Sequence, residues 1–388
     1  MNPRSYRHNL VLFLCGAALL GAAGGMYETT FNNFISDTFD LSAGARGFLE
    51  FPRELPGFLT ALFAGLLFFL AETRIAAVCA LMIAGGFFGM AFLGDRWAGM
   101  LGFMILWSVG MHLLMPIRSS LSLVLAEKGA RGKRLGQIRS VGIGASVVGC
   151  GVVYIGMRFF GFDYRVIFVL AGIGALVALV LFARMRMPGA HLARPKFVLR
   201  KRYWLYYVLA ALFGARKQIF ITFGPWVLVR IFDQEAYVLA QLWIAASLIG
   251  IFFQPMLGHA IDRFGPRVVL MADAVCIIAV CLGYGFSSRI GNGAALWILY
   301  ACFVGDQLLF GANMAREIYL AQLAESREHV APTLSLGISI NHAVSMSVPA
   351  VGGLIWMRFG HHWVFLGAAG VAMAMLFFSS LIRVPQEA

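Results

Sequence analysis

Twelve apolar runs, separated by short polar connectors, leave this chain almost no way to fold in water. They cover roughly residues 10–35, 47–70, 75–94, 98–125, 136–159, 164–183, 204–231, 236–259, 268–288, 293–321, 331–357 and 362–382. Each is close to the ~20 residues that a helix needs to cross a ~30 Å hydrocarbon layer. Only 13% of the 388 residues are charged and 60% are hydrophobic, against roughly 25% charged in soluble domains. That balance excludes a soluble enzyme, a disordered chain and a nucleic-acid-binding domain. The expected fold class is an all-α polytopic membrane protein with twelve spanning helices and no room for a large soluble domain. The first run follows Met1–Arg7 and continues past Glu28 without an A-x-A cleavage site, so it reads as an uncleaved first helix.

The net charge of +13 is unevenly placed. With both termini on one side, 18 of the 31 Lys and Arg residues fall on that side and 7 on the other. The central connector from Arg184 to Arg202 alone carries seven. Such a bias marks the cytoplasmic face, so the basic character is a topology signal and implies no polyanion partner. The six cysteines, Cys15, Cys79, Cys150, Cys276, Cys281 and Cys302, lie inside apolar runs without a CxxC pair. Neither a disulfide framework nor a zinc site is expected.

The two halves resemble each other. RSSLSLVLAEKG (118–129) aligns without gaps on REIYLAQLAESR (316–327), placing Arg118 opposite Arg316. MRFFG (157–161) resembles MRFG (357–360). Weak internal symmetry of this kind is a signature of transporter architecture. The expected division is a six-helix bundle over 1–186, a basic cytoplasmic linker over 187–203 and a second six-helix bundle over 204–388.

Between helices eight and nine the chain reads Gly258-His-Ala-Ile-Asp262-Arg263-Phe-Gly265-Pro266-Arg267. This resembles the G-x-x-x-D-R-x-G-x-[RK] signature of the major facilitator superfamily. The counterpart after helix two, with Gly65, Glu72 and Arg74, lacks the D-R-x-G core. Pro349-Ala-Val-Gly352-Gly353 in helix eleven is similar to the tail of the antiporter glycine motif. Helix five, where that motif belongs, has glycines but no proline. Helix four lacks the arginine upstream of Gly110 that proton-driven drug exporters of the superfamily carry. Both departures weigh against drug efflux. The resemblance implies two bundles around a central cavity, lined by helices one, four, seven and ten. Helices two, five, eight and eleven would flank it and form the gates, with Asp262 and Arg263 as a conformational latch.

Twelve charges fall inside the apolar runs: Arg53, Arg118, Arg139, Arg216, Lys217, Arg316, Glu28, Glu50, Glu54, Asp273, Asp306 and Glu317. Each costs about 2.5–3.5 kcal/mol at a helix centre on insertion scales, so they must be paired, wet or protonated. Glu28 and Asn32 share one face of helix one, next to Tyr27. In helix two, Arg53 reaches Glu50 at i+3, Glu54 stands one turn on, and Pro52 and Pro56 interrupt the backbone ladder. That group reads equally as a gate or coupling site and as a rigid ion cluster fixing the bend. Helix seven carries Arg216-Lys217-Gln218, where both cations read either as solute ligands or as counter-ions to Glu28, Glu50 or Glu54. Helix ten carries Asp306 and Arg316. Helix eleven offers Asn341 and His342, and helix four His112, each His serving either packing or proton transfer.

These residues predict a secondary transporter with no catalytic residues, no metal and no cofactor. Tyr27, Glu28, Asn32, Arg216, Lys217, Gln218, Asp306 and Asn341 are the candidates for substrate contact. Glu28, Glu54 and Asp306 are the candidates for a coupled proton. Glu50, Arg53, Arg118, Arg316, Asp262 and Arg263 are the candidates for gating. The mixed cations and carboxylates favour a small anionic or zwitterionic solute, with an amphipathic drug or metabolite as the alternative cargo. A receptor or membrane enzyme on the same scaffold is the alternative of another class. The expected setting is the cell inner or plasma membrane, multi-pass, as a monomer with both termini cytoplasmic. The partners are the solute, a coupling ion and the lipid bilayer.

Overall fold

The computed structural model describes residues 3–59, 71–125, 131–187, 199–325 and 327–383. Gly65, Lys128 and most of the central connector, Arg194 and Lys196 included, lie outside the described residues, as does the side chain of Arg139. Among the described residues there is no strand. The helices are α1 (Pro3–Phe39), α2 (Ala43–Phe58), α3 (Glu72–Leu93), α4 (Trp97–Val124), α5 (Arg131–Phe159) and α6 (Tyr164–Arg184). They continue with α7 (Trp204–Arg230), α8 (Ala236–Phe286), α9 (Asn292–Leu309), α10 (Asn313–Leu323), α11 (Arg327–Phe359) and α12 (His361–Ser380).

Nine helical stretches among the described residues are long and apolar enough to cross a bilayer. The count relates simply to the twelve apolar runs. The run of 51 residues in α8 holds two of them, since Gly265 breaks it with φ 78° and ψ 164°. Only glycine enters that region without steric cost, and Pro266 follows it, unable to donate back into the first arm. The helix Trp204–Arg230 carries Arg216, Lys217 and Arg230, which lowers its apolar character. The described part of α2 ends at Phe58, midway along its apolar run. The α9 and α10 segments form one run joined by the 3₁₀ turn at Phe310–Ala312.

The chain divides into two compact units. The first holds residues 1–40, 59–194 and 235–244. In it α1 packs on α5 and α6, and α3 on α4 and α6. An aromatic core forms where Tyr27 stacks on Trp107 at 3.8 Å and Phe34 meets Phe168 edge-on at 5.0 Å. At one end Asn9 exchanges two hydrogen bonds with the Arg186 backbone, each 3.0 Å, tying the start of α1 to the end of α6. At the other end the Asp163 side chain accepts from Val166 N at 2.8 Å, capping α6.

The second unit holds residues 41–58, 195–234 and 245–388. Its most extensive helix pairing is α2 with α11. Small residues make that contact possible. A Cβ added at Gly47 would collide with the Pro349 carbonyl, and one at Gly353 with the backbone of Ala43 and Gly44. Close backbone approach is how helices gain packing energy where lipid gives no hydrophobic drive. The glycines thus bring the charged face of α2 against α7 and α11. Gly47→Leu should lower the thermal midpoint of the purified protein in detergent sharply, since overpacking alone costs about 1–3 kcal/mol. Gly258→Ala, where a Cβ would meet nothing within 4 Å, should change it little. Equal midpoints for the two variants would remove the close approach from the account.

Candidate functional site

The charged residues of α2 form a buried cluster inside the second unit. Glu50 is fully buried and accepts from three donors: Arg46 Nη1 at 2.5 Å, Arg53 Nε at 2.6 Å and Gln218 Nε2 at 2.8 Å. The first two donors follow from helix geometry, at i−4 and i+3. The third comes from α7. Arg53 also reaches Glu54 at 3.4 Å, and Glu54 Oε2 stands 3.0 Å from His342 Nδ1 on α11. Arg46 lies 5.9 Å from the Trp226 ring centroid, in cation–π range. This is the ion cluster that the spacing of Glu50, Arg53 and Glu54 allowed. Arg46, at the start of the second apolar run, is 1% exposed inside it. Its i,i+4 spacing to Glu50 was the available signal. The Glu54–His342 contact has no signal in sequence, because the two residues are 288 apart.

Successive residues on a helix point about 100° apart, so Arg216, Lys217 and Gln218 fan out toward three neighbours. Gln218 takes Glu50. Arg216, 1% exposed, meets Asp306 of α9, with Nη2 2.7 Å from Oδ1. Its guanidinium lies 4.9 Å from the Phe310 ring centroid and 5.8 Å from that of Phe220. Lys217 is half-buried and donates to the Asn341 side-chain oxygen at 3.0 Å. Within its unit, among the described residues, no carboxylate lies within 4 Å of the Lys217 ammonium. The α7–α11 seam at this point is tight, since a Cβ on Gly214 would press on the Asn341 backbone.

Arg316 is buried against α7. It donates to the Leu209 carbonyl at 3.3 Å and to Asn313, and lies 4.4 Å from the Phe213 ring centroid. Its repeat mate Arg118, in the first unit, is exposed. The aligned arginines therefore occupy unlike environments. In the same unit Tyr27 is 1% exposed within the aromatic core, Asn32 is buried, and Glu28 is half-buried on the same helix. His112 sits within reach of Ser108, 3.0 Å from its hydroxyl. Glu72, read as a connector residue, is fully buried at the start of α3 and accepts from Ser120 at 2.6 Å.

Asp262 and Arg263 are exposed at the end of the first arm of α8, just before Gly265. Arg263 lies 5.3 Å from the Phe264 ring centroid. Within their unit, among the described residues, no cation comes within 4 Å of the Asp262 carboxylate. No enclosed nucleophile-and-base arrangement is present among the groups described above, and the contacts they make are ion pairs and hydrogen bonds.

No curated protein matches the sequence. Solved structures do match the fold. A mutant form of the nucleoside transporter NupG aligns at a TM-score of 0.78 with 14% identity, over 96% of this chain and 99% of that one. A D-xylose-proton symporter aligns at 0.72 with 14% identity, over 98% and 99%. A bacterial homologue of the human lysosomal transporter Spinster, inward-facing and occupied, aligns at 0.72 with 17% identity, over 99% and 98%. At these identities the likeness is one of fold. The sequence itself matches the profile of the Major Facilitator Superfamily over residues 13–317. That span covers most of the apolar runs and the Gly258–Arg267 loop, and with it the chain belongs to the major facilitator superfamily.

Proposed function

We propose that this secondary transporter moves a small polar solute bearing an anionic or zwitterionic group, by alternating access of two six-helix bundles and with proton coupling. One observation carries the choice of solute. In the second unit Arg46 and Arg53 pair with Glu50 and Glu54, and Arg216 with Asp306, whereas Lys217 donates to a neutral amide oxygen. A half-buried ammonium so placed offers a point charge and spare donors to an anion. Asn341 and Gln218 supply uncharged polar groups on either side of it. Glu28 and Asn32 on α1 are the counterparts proposed for the first bundle.

The proton reading rests on Glu28, Glu54 and Asp306, each acidic and at membrane depth, where an ionisable group is a functional hypothesis by default. Glu54 has the added support of His342, a side chain whose unperturbed range lies nearest physiological pH. The symporter and the nucleoside transporter above lend the fold; the solute is argued from this chain's own residues. Asp262 and Arg263 remain the proposed latch, and Arg118 and Arg316 the proposed gating pair. The bundles over 1–186 and 204–388, joined by 187–203, are proposed to sit in the inner or plasma membrane as a monomer with both termini cytoplasmic.

Three measurements test this reading. A thermal-shift screen of purified protein over small anions, amino acids, sugars and lipophilic cations should return ligands carrying a carboxylate or phosphate. Lys217→Met should fold and lose those shifts at least tenfold in apparent affinity, with Lys217→Arg retaining part. Undiminished shifts in Lys217→Met would remove Lys217 from the site. With a ligand found that way, Glu28→Gln should abolish accumulation driven by an imposed pH gradient while leaving counterflow exchange. Full pH-driven accumulation would take Glu28 out of coupling. Lys201→Cys in a chain without native cysteines should react with an impermeant maleimide only after cells are opened. Labelling of intact cells would invert the topology.

A further inference from the structure

At one end of the second unit an arginine, a tyrosine and a histidine meet where the chain enters α7 and α11. His329 stands in the first turn of α11, one turn before Thr333, where the stretch of that helix long and apolar enough to cross a bilayer begins. Arg200 precedes the 3₁₀ turn Lys201–Tyr203 that leads into α7. Arg200 Nη1 lies 2.6 Å from His329 Nε2, and Tyr203 Oη lies 2.9 Å from His329 Nδ1. Tyr203 is the fixed post of the group. Its ring is fully buried in an apolar cluster with Tyr206, Leu320 and Ile382, and its Oη also accepts from the Glu325 N–H at 3.4 Å.

Donor counting sets the charge of the ring. A guanidinium carries N–H donors and no acceptor, so Nε2 must offer a lone pair to take the Arg200 hydrogen bond. The ring proton then sits on Nδ1 and is donated to Tyr203 Oη, a tautomer assigned from the partners. His329 in this arrangement is neutral. A second proton would land on Nε2, the atom that Arg200 occupies. It would delete the acceptor and set an imidazolium against a guanidinium. The carboxylate of the group, Glu325, is already paired with Arg202 at 2.9 Å, both side chains being more than half exposed. Lys201 is exposed, and the Tyr207 hydroxyl accepts from the Arg200 backbone N–H at 3.5 Å.

We infer that His329 is a proton-sensing clasp: neutral, it holds Arg200 and the entry to α7 against the start of α11, and protonated, it releases Arg200. The clasp is complete on the alkaline side of the ring's titration and is lost as pH falls through it. An imidazole changes charge between about pH 5 and 8, so the release falls in a range that cells reach. The site shares no residue with the solute or the coupled proton and does not rest on either reading. In the proposed topology it reads the pH of the cytoplasm.

Hydrogen–deuterium exchange of the full chain in lipid nanodiscs, with the intrinsic pH dependence of exchange divided out, tests the clasp without any solute. The N–H groups of Tyr203 and Trp204 bond to the carbonyls of Arg200 and Lys201, so they report whether the turn is held. Between about pH 8 and about pH 5.5 the imidazole is the side chain of this group that changes charge. Acidification across that range should speed exchange over residues 199–207 about tenfold, the scale of one lost hydrogen bond to a charged group. His329→Gln keeps an acceptor for Arg200 and a donor for Tyr203 without a titrating ring, and should exchange slowly at both pH values. Arg200→Met removes the guanidinium and should exchange fast at both. Both variants change partly exposed side chains and are expected to fold, which the thermal midpoint checks. Exchange in the native chain that ignores pH overturns the inference. A pH response that persists in His329→Gln assigns the titration to another group, and one that persists in Arg200→Met removes the guanidinium from the clasp; either result overturns it.

Discussion

A carboxylate inside a bilayer-spanning fold must be compensated or protonated, and Glu50 shows the fullest compensation among the carboxylates described. Its three donors come from two turns of its own helix and from α7. Removing a single partner from such a buried set costs about 3–5 kcal/mol, a large share of a net stability of about 5–15 kcal/mol. The neighbouring features serve it. Gly47 and Gly353 let α2 approach α11, and Trp226 covers Arg46. Pro52 and Pro56 remove two backbone donors from a stretch that still runs as helix from Ala43 to Phe58. Ion pairing and close backbone contact hold that stretch where helix propensity alone would not.

The spans were legible in the sequence because the hydrophobic requirement of a bilayer acts on every residue of a run. The turn at Gly265 was legible because the glycine sits beside Pro266 in a polar break. Pairing within one helix was legible where spacing dictates it, as for Arg53 and Glu50. Pairing between helices was not. Sequence leaves Glu28, Glu50 and Glu54 all open to Arg216, and its partner in the fold is Asp306, 90 residues away. Nothing in local spacing selects among several carboxylates at similar depth. The choice is made by helix rotation, which is set by packing elsewhere.

The internal repeat is a second case where sequence and environment separate. RSSLSLVLAEKG and REIYLAQLAESR align without gaps, yet Arg118 is exposed and Arg316 is buried against Phe213 and Leu209. A shared ancestral pattern preserves helix positions more readily than it preserves charge partners. Once one copy gains an acceptor such as Asn313 or a backbone carbonyl, its arginine can retreat from water. Symmetry in the alignment therefore licenses a statement about the fold and none about equivalent roles.

The same physics divides the charged residues into those that are committed and those that are available. Along three consecutive positions of α7, Gln218 completes the Glu50 set, Arg216 answers Asp306, and Lys217 faces an amide oxygen. A committed charge resists displacement, because any ligand that competes for it must first strand its partner in a low-dielectric setting. An available charge has no such penalty and gains from a counter-ion. In a protein whose cost of burial per charge is a few kcal/mol, an ammonium with no carboxylate in contact is best tolerated where water or a ligand reaches it. The half-buried position of Lys217 meets that condition, whereas the nearly complete burial of Arg46 and Arg216 does not. Exposure and pairing together, rather than charge alone, set Lys217 apart from Arg46 and Arg216.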